Sequence, residues 1–310
     1  MNGAGLSSQG GWAYLQLMRP ANIVTAWADI LVGFAASGAA IIFDQVITGQ
    51  GVFIQLLPLV WLLIATTGLY GGGVVFNDVF DAELDAKERP ERPIPSSRAS
   101  RQGATVLGTV LLGIGVVAAA QVSWVSGVLA AIIAGEALSY DALAKHHTFF
   151  GPLNMGLCRG GNLLLGVSVL PAMVEERWYL ALIPIVYIAA ITAISQGEVQ
   201  GGKKITGVVA LLLIGVVISG ILGLGLLPNY EIITALPFAA LLSFRVMPPF
   251  VKAAREPMPE QIRTAVKAGV LSLIVLDATI AAGFAGLPFG LLVLLLLPIS
   301  MGLAQLFAVT

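Results

Sequence analysis

Charge is what this chain has least of. Of its 310 residues, 11% are Asp, Glu, Lys or Arg, against roughly 25% in an ordinary soluble domain. With 57% of residues hydrophobic, too few polar side chains remain to cover a water-soluble globule, and that class is excluded. A net charge of −1 offers no basic face to a nucleic acid and no acidic tail. The single cysteine, Cys158, rules out an intramolecular disulfide and reads as a small packing residue in an apolar run. The Leu/Ile/Val/Ala/Gly stretches lack the alternation of a transmembrane β-barrel. The N-terminus lacks a basic patch followed by a short apolar core and a small-residue cleavage site, so no removable signal is expected.

What the chain does have is long apolar runs. Residues 104–120, 205–227, 265–285 and 291–308 approach or reach the ~20 residues that carry a helix across ~30 Å of hydrocarbon. Punctuation by Pro, Gly and charge predicts helices at about 20–43, 52–76, 104–120, 122–140, 152–174, 178–195, 205–227, 231–250, 265–285 and 287–308. The expected fold is all-α and polytopic, with nine to ten transmembrane helices. Gly286, Pro288 and Gly290 leave open whether the last pair is two spans or one span and a re-entrant segment. Loops on the side of Arg19 hold most of the Lys and Arg residues, whereas the opposite loops hold only Arg177 beside Glu175 and Glu176. The positive-inside rule therefore places the N-terminus and the basic loops in the cytoplasm and the protein in the cell (inner) membrane. The domain reading is a cytoplasmic segment, 1–19, and a single transmembrane domain, 20–310, with polar loops at 77–103 and 196–205.

A third of the scarce charges lie in the 25 residues 77–101. Asn77, Asp81 and Asp85 recur every fourth residue and Asp78 stands three before Asp81, so all four project from one helical face. Three carboxylates within two turns repel one another unless a cation neutralises them. Oxygen-only ligands suit a hard ion such as Mg²⁺, which fills its shell with substrate phosphate. No His or Cys joins the set, which disfavours zinc. Basic residues follow from Arg89 to Arg98, and arginines beside such a face are what a diphosphate requires. Arg92 and Arg98 are the candidates for that role, while Arg101 reads as a membrane anchor.

Asn-Asp-x-x-Asp-x-x-x-Asp at a helix end, followed by Arg92-Pro93-Ile94-Pro95, resembles the first signature of the UbiA superfamily of intramembrane prenyltransferases. The likeness runs from Arg19-Pro20-Ala21-Asn22 to at least the sixth expected helix. It implies a bundle of about nine helices around a lateral cavity, a polyprenyl diphosphate held through Mg²⁺, and transfer of the prenyl group to a lipophilic, commonly aromatic, acceptor. It makes Asn77, Asp78, Asp81 and Asp85 metal ligands, with Asp78 and Asp81 central to catalysis.

Other positions extend this likeness. Tyr140-Asp141-Ala142-Leu143-Ala144-Lys145 is similar to the family's Tyr-x-x-x-x-Lys element, which makes Lys145 a catalytic, diphosphate-binding residue. A continuing helix would aim Lys145 at Asp141 or at a ligand phosphate. Asn22, Glu136, Tyr140 and Asn162 are expected to line the cavity near the acceptor. Arg159, inside the fifth span, must face a partner or a polar cavity, either a phosphate or Glu136. Asp29 and Asp277 lie in apolar runs without a motif.

The family's second acidic set departs from its pattern. Glu198 occupies a carboxylate position, but Ser195 and Gly202 stand where Asp would be expected, and Lys203 follows as a phosphate-binding candidate. Glu198 is accordingly a weaker second-site metal ligand. The Gly197-Glu198-x-x-Gly201-Gly202 loop resembles the UbiA-like EboC subgroup of bacterial membrane proteins. The resemblance implies a Mg²⁺-dependent prenyltransferase, and the missing acids favour the alternative of a non-catalytic carrier or accessory protein for a lipophilic metabolite.

Overall fold

A computed structural model describes residues 3–145 and 147–307. The first two residues of the expected N-terminal segment and the last residue of the final expected span, Ala308, lie outside that range. Among the described residues every regular element is helical. In chain order they are α1 (Gly3–Met18), α2 (Pro20–Ala36), α3 (Ala40–Ile47), α4 (Leu57–Phe80), α5 (Ala82–Glu88), α6 (Arg101–Ala120), α7 (Trp124–Ser139), α8 (Phe150–Val167), α9 (Met173–Arg177), α10 (Leu182–Ser195), α11 (Lys204–Gly223), α12 (Ile232–Arg255), α13 (Pro259–Leu294) and α14 (Leu296–Leu306).

Local chemistry sets the boundaries. Pro20 opens α2, where its missing N–H costs nothing. Ser100 and Ser123 cap α6 and α7, accepting from Gly103 N and Ser126 N at 3.0 Å each. Gly286 bends α13 with φ 83° and ψ 169°, a conformation open to glycine alone. Each expected run finds a helix, but seven stretches are long and apolar enough to cross a membrane, or eight if the bent pair α2 and α3 forms one broken span. The lower number has two causes. Residues 259–306 count as one stretch despite the bend at Gly286, and α8 is diluted by Asn154, Arg159, Asn162 and its glycines.

Neighbours in sequence pack as neighbours in space: α4 on α6, α6 on α7, α7 on α8, α8 on α10, then α10 through α13, which returns to α2 and closes the ring. Helix α2 also crosses α8 and α4, so it runs through the middle of the molecule, and 14 of its 17 residues are buried. The outward faces are apolar instead, with Val106, Val110, Ile114 and Val117 exposed on α6 and Leu212 and Val216 on α11. Such surfaces suit lipid, where the attraction between helices comes from close packing rather than from water.

The α2–α8 crossing is closest at Gly33 and Gly166. A Cβ on Gly33 would collide with the carbonyl of Leu163 and the backbone of Val167, and one on Gly166 would meet Ile30 and Gly33. Backbone atoms cannot step aside as a side-chain tip can. Gly33→Leu should therefore force the helices apart and cost at least ~3 kcal/mol, since overpacking costs typically 1–3. The expected readout is a lost monodisperse peak in detergent, whereas Gly113→Leu, with open space around it, should behave as the parent.

Candidate active site

The acidic motif sits where α4 runs out. At Asp81 the backbone leaves helical geometry (φ −85°, ψ 0°), yet i to i−4 bonds continue through it, from Asp81 N to Asn77 O and from Asp85 N to Asp81 O. The four side chains therefore stay on one side, as their spacing predicts, but they divide into two stripes. Asp78 and Asp85, seven residues apart, form one stripe, and Asn77 with Asp81 forms the other.

The first stripe meets arginines. Arg19 donates to Asp78 Oδ1 at 2.8 Å, and Arg92 NH1 lies 2.8 Å from Asp85 Oδ2 and 3.3 Å from Asp78 Oδ1. Both carboxylates are about 95% buried. Arg19 was legible in sequence only as a flank of the first span. In the structure it links α1 to α2 in a left-handed conformation, φ 49°, uncommon for a residue with a Cβ, and this turn directs it across to α4. Its one sequence signal is its place immediately before Pro20 and Asn22. Asn22 itself is buried one turn further along α2.

Arg98 does not join them. It donates to Gln16 Oε1 at 2.7 Å, to the Glu91 carbonyl at 2.6 Å and to Ser96 Oγ at 3.0 Å, so its guanidinium is engaged in tying the 89–99 loop to α1. The structure thus brings Arg98 to α1 and its own loop rather than to Asp78 or Asp85. Arg101 is exposed and 3.6 Å from Glu83, as a surface anchor would be.

The second stripe meets the turn that follows α7. Asn77 Nδ2 donates to Asp141 Oδ1 at 2.7 Å, and Lys145 forms an ion pair with Asp81. Lys145 was expected to face Asp141 or a ligand phosphate; the carboxylate it pairs with is Asp81. Residues Tyr140–Ala144 form a π turn, with Lys145 N bonded to Tyr140 O at 3.0 Å. The extra residue in the turn swings Lys145 toward α4 while Asp141 stays on the inner face, a distortion that recurs at functional sites. Asp141, 95% buried, is a further carboxylate that the motif did not include. Tyr140 is half-buried in the same turn, and Glu136 is half-buried one turn before it.

Arg159 lies deeper. Its Nε is 2.7 Å from Asp29 Oδ2, its guanidinium donates to the Thr25 carbonyl and stands over the Tyr70 ring. Asn162 donates to the other side of the same pair, to Asp29 Oδ2 at 2.8 Å and the Ala26 carbonyl at 2.9 Å. Asp277 approaches Asp29 from α13. Of the partners expected for Arg159, Glu136 is not the one it meets; the carboxylate it pairs with is Asp29. The guanidinium is held by α2, and the cluster α2–α8–α13 is a polar joint in the interior.

The second polar loop, between α10 and α11, carries one acid. Glu198 is half-buried. Burial raises its carboxyl above the ordinary range, and the positive charges of Arg89 and Arg263 pull it the other way. Arg263 Nε donates to the Glu198 carbonyl at 3.1 Å. Ser195 turns its hydroxyl back to the Thr192 carbonyl, 2.9 Å, and Lys203 is exposed at the start of α11.

These residues can take a cation at the first stripe. One nitrogen of Arg92 already sits between Asp78 and Asp85, within hydrogen-bond reach of both, so a positive centre is accommodated there by two carboxylates. Among the described residues no three Asp, Glu, His or Cys side chains gather into a complete metal cage.

The structure is a helical bundle that brings carboxylates, arginines and a lysine from separate elements to one face. The chain belongs to the UbiA prenyltransferase family, whose sequence profile matches residues 31–256. It is similar to digeranylgeranylglyceryl phosphate synthase from Methanothrix thermoacetophila, 33% identical over 49% of this chain and 52% of that protein. The enzyme of the same name from Methanosarcina mazei is 32% identical over 52% and 56%. The matched segment spans about half the length of these relatives. The apo structure of a UbiA homolog from Aeropyrum pernix K1 superimposes with a TM-score of 0.64 at 15% identity, covering 83% of this chain and 96% of that one, a likeness of fold.

Proposed function

We propose that the protein is a membrane prenyltransferase that takes a polyprenyl diphosphate and passes its prenyl group to a lipophilic acceptor in the presence of Mg²⁺. The observation that carries this reading is the bridging of Asp78 and Asp85 by Arg92, with Arg19 and Lys145 flanking. In this reading Asp78, Asp81 and Asp85 hold Mg²⁺ with Asn77 beside them, and Arg19, Arg92, Lys145 and Lys203 neutralise the diphosphate. Mg²⁺, when bound, supplies Lewis-acid charge that eases departure of the diphosphate. Lys145 adds charge where the leaving group becomes more negative, Asn77 and Asp141 fix the helix ends that carry these groups, and the apolar interior keeps water from the prenyl chain. The Lys- and Arg-rich loops support a cytoplasmic orientation for this face. The relatives' name points to a hydroxyl-bearing acceptor, and Asn22, Tyr140 and Glu136 are the polar side chains assigned to the acceptor's path.

The test is Mg²⁺-dependent diphosphate release by purified protein in nanodiscs, with geranyl, farnesyl and geranylgeranyl diphosphates and a panel of lipid alcohols and phenols. Release with at least one pair supports the reading; no release from any of them, with the donors bound, favours a carrier, the alternative suggested by the single acid of the second loop. Lys145→Ala should lower the turnover about 10²-fold or more, as loss of one preorganised charged donor does, and Lys145→Arg should recover part of it.

A further inference from the structure

Among the described residues, a positive φ outside glycine occurs at two places, Arg19 at 49° and Ser97 at 60°. Both are costly for a side chain with a Cβ, and such conformations gather where function requires them. One guanidinium joins the two. Arg98 follows Ser97 and reaches back across to α1, where its Nη1 donates to Gln16 Oε1 at 2.7 Å. The Gln16 carbonyl in turn accepts from the Arg19 amide at 3.2 Å. On the loop side, Nη2 donates to the carbonyl of Glu91, immediately before Arg92, at 2.6 Å, and Nε donates to Ser96 Oγ at 3.0 Å. Ser96 Oγ donates onward to the Arg92 carbonyl at 2.7 Å. These bonds close a ring through the site, because Arg19 and Arg92 meet on one atom, Asp78 Oδ1, at 2.8 and 3.3 Å. Two like charges that close repel each other. Neither backbone is held in place by a helix of its own: Arg19 lies between α1 and α2, and Arg92 lies between α5 and α6. Arg98 supplies the hold from outside the ion-pair cluster, gripping the loop that carries Arg92 and the residue that sets the turn at Arg19.

We propose that Arg98 is a positioning residue of this site, which does not touch the diphosphate and acts by holding Arg19 and Arg92 together at Asp78. The inference rests on the prenyl diphosphate reading and names the side chain that couples α1 to the site. The coupling uses three nitrogens in one plane, which a guanidinium has and an ammonium lacks.

Full-length protein in nanodiscs is titrated with farnesyl S-thiolodiphosphate, which does not ionise, in the presence of Mg²⁺. Arg98 is exposed, so its variants should stay monodisperse. Arg98→Ala should weaken binding about tenfold, the effect of losing hydrogen bonds made by a charged group. Arg98→Lys should do no better, since it keeps the charge and loses the fork. Gln16→Leu should weaken binding several-fold in the parent and add nothing on top of Arg98→Ala. Arg19→Ala and Arg98→Ala together should cost less than the product of their separate effects, because one residue acts through the other. Where product forms, the donor KM should rise in these variants and the acceptor KM should not. Full affinity in Arg98→Lys would mean that a positive charge alone suffices, as in direct contact with phosphate, and would overturn the inference. Unchanged affinity in Arg98→Ala, or effects of Arg19→Ala and Arg98→Ala that multiply, would overturn it too. In each of those outcomes the parent still binds the analogue, and the prenyl diphosphate reading stands. A parent that binds neither this analogue nor its geranyl and geranylgeranyl counterparts would overturn both.

Discussion

Asp78→Asn is expected to lower prenyl transfer by about a thousand-fold or more, while the protein stays folded and inserted in the membrane. Asp78 is the junction of the site: Arg19 and Arg92 both reach its Oδ1, and it shares Arg92 with Asp85. The amide keeps one oxygen as an acceptor for both arginines, so the buried guanidiniums are not stranded, but the charge that would hold a cation is gone. Loss of a single preorganised donor costs about 10²–10³ in turnover in enzymes where it has been measured, and here the substitution weakens the ion and its phosphate contacts together. The assay is product formation at saturating donor, beside size-exclusion and membrane-fraction controls. Turnover within tenfold of the parent would remove Asp78 from the site.

The second large effect is on stability and lies far from that face. Arg159→Met should destabilise the bundle by about 3–5 kcal/mol, the range found when one partner of a buried ion pair is deleted. Asp29 and Asp277 are both fully buried. Without the guanidinium, Asp29 keeps only Asn162 as a partner and Asp277 still approaches it. The cost should come from that uncompensated acidity, so replacing the whole joint with Arg159→Met, Asp29→Leu and Asp277→Leu should recover most of the lost stability. Thermal unfolding in a mild detergent, with Arg159→Met well below the parent and the triple variant close to it, is the expected pattern. If the triple variant is worse than the single, the cluster has a binding role that packing does not replace.

These effects separate what the chain announces from what folding assembles. The membrane location, the helical class and the acidic motif could be read directly, because each depends on residues within one helix or one loop. Apolar length sets the span, and the four-residue spacing of Asn77, Asp81 and Asp85 sets a face. Lys145 was also legible as part of the site, but not its partner, because a π turn is not written in hydrophobic periodicity. Arg98 carried the same local signal as Arg92 and differs only in what surrounds it. Gln16 on α1 and the Glu91 carbonyl take up its donors, whereas Arg92 finds two carboxylates.

Arg19 and Arg159 show the limit most clearly. Arg19 meets Asp78 across 59 positions of sequence, and Asn162 meets Asp29 across 133. The first pairing depends on a left-handed turn between α1 and α2, and the second on two glycines that let α2 and α8 touch backbone to backbone. By itself the sequence determined that the scarce charges must gather, since isolated ones are costly in hydrocarbon. Which charges gather with which was decided by the tertiary structure, because an ion pair forms only between groups that packing brings within about 3–4 Å. That distance is fixed by helix crossings and turn geometry, which no single stretch of the chain contains.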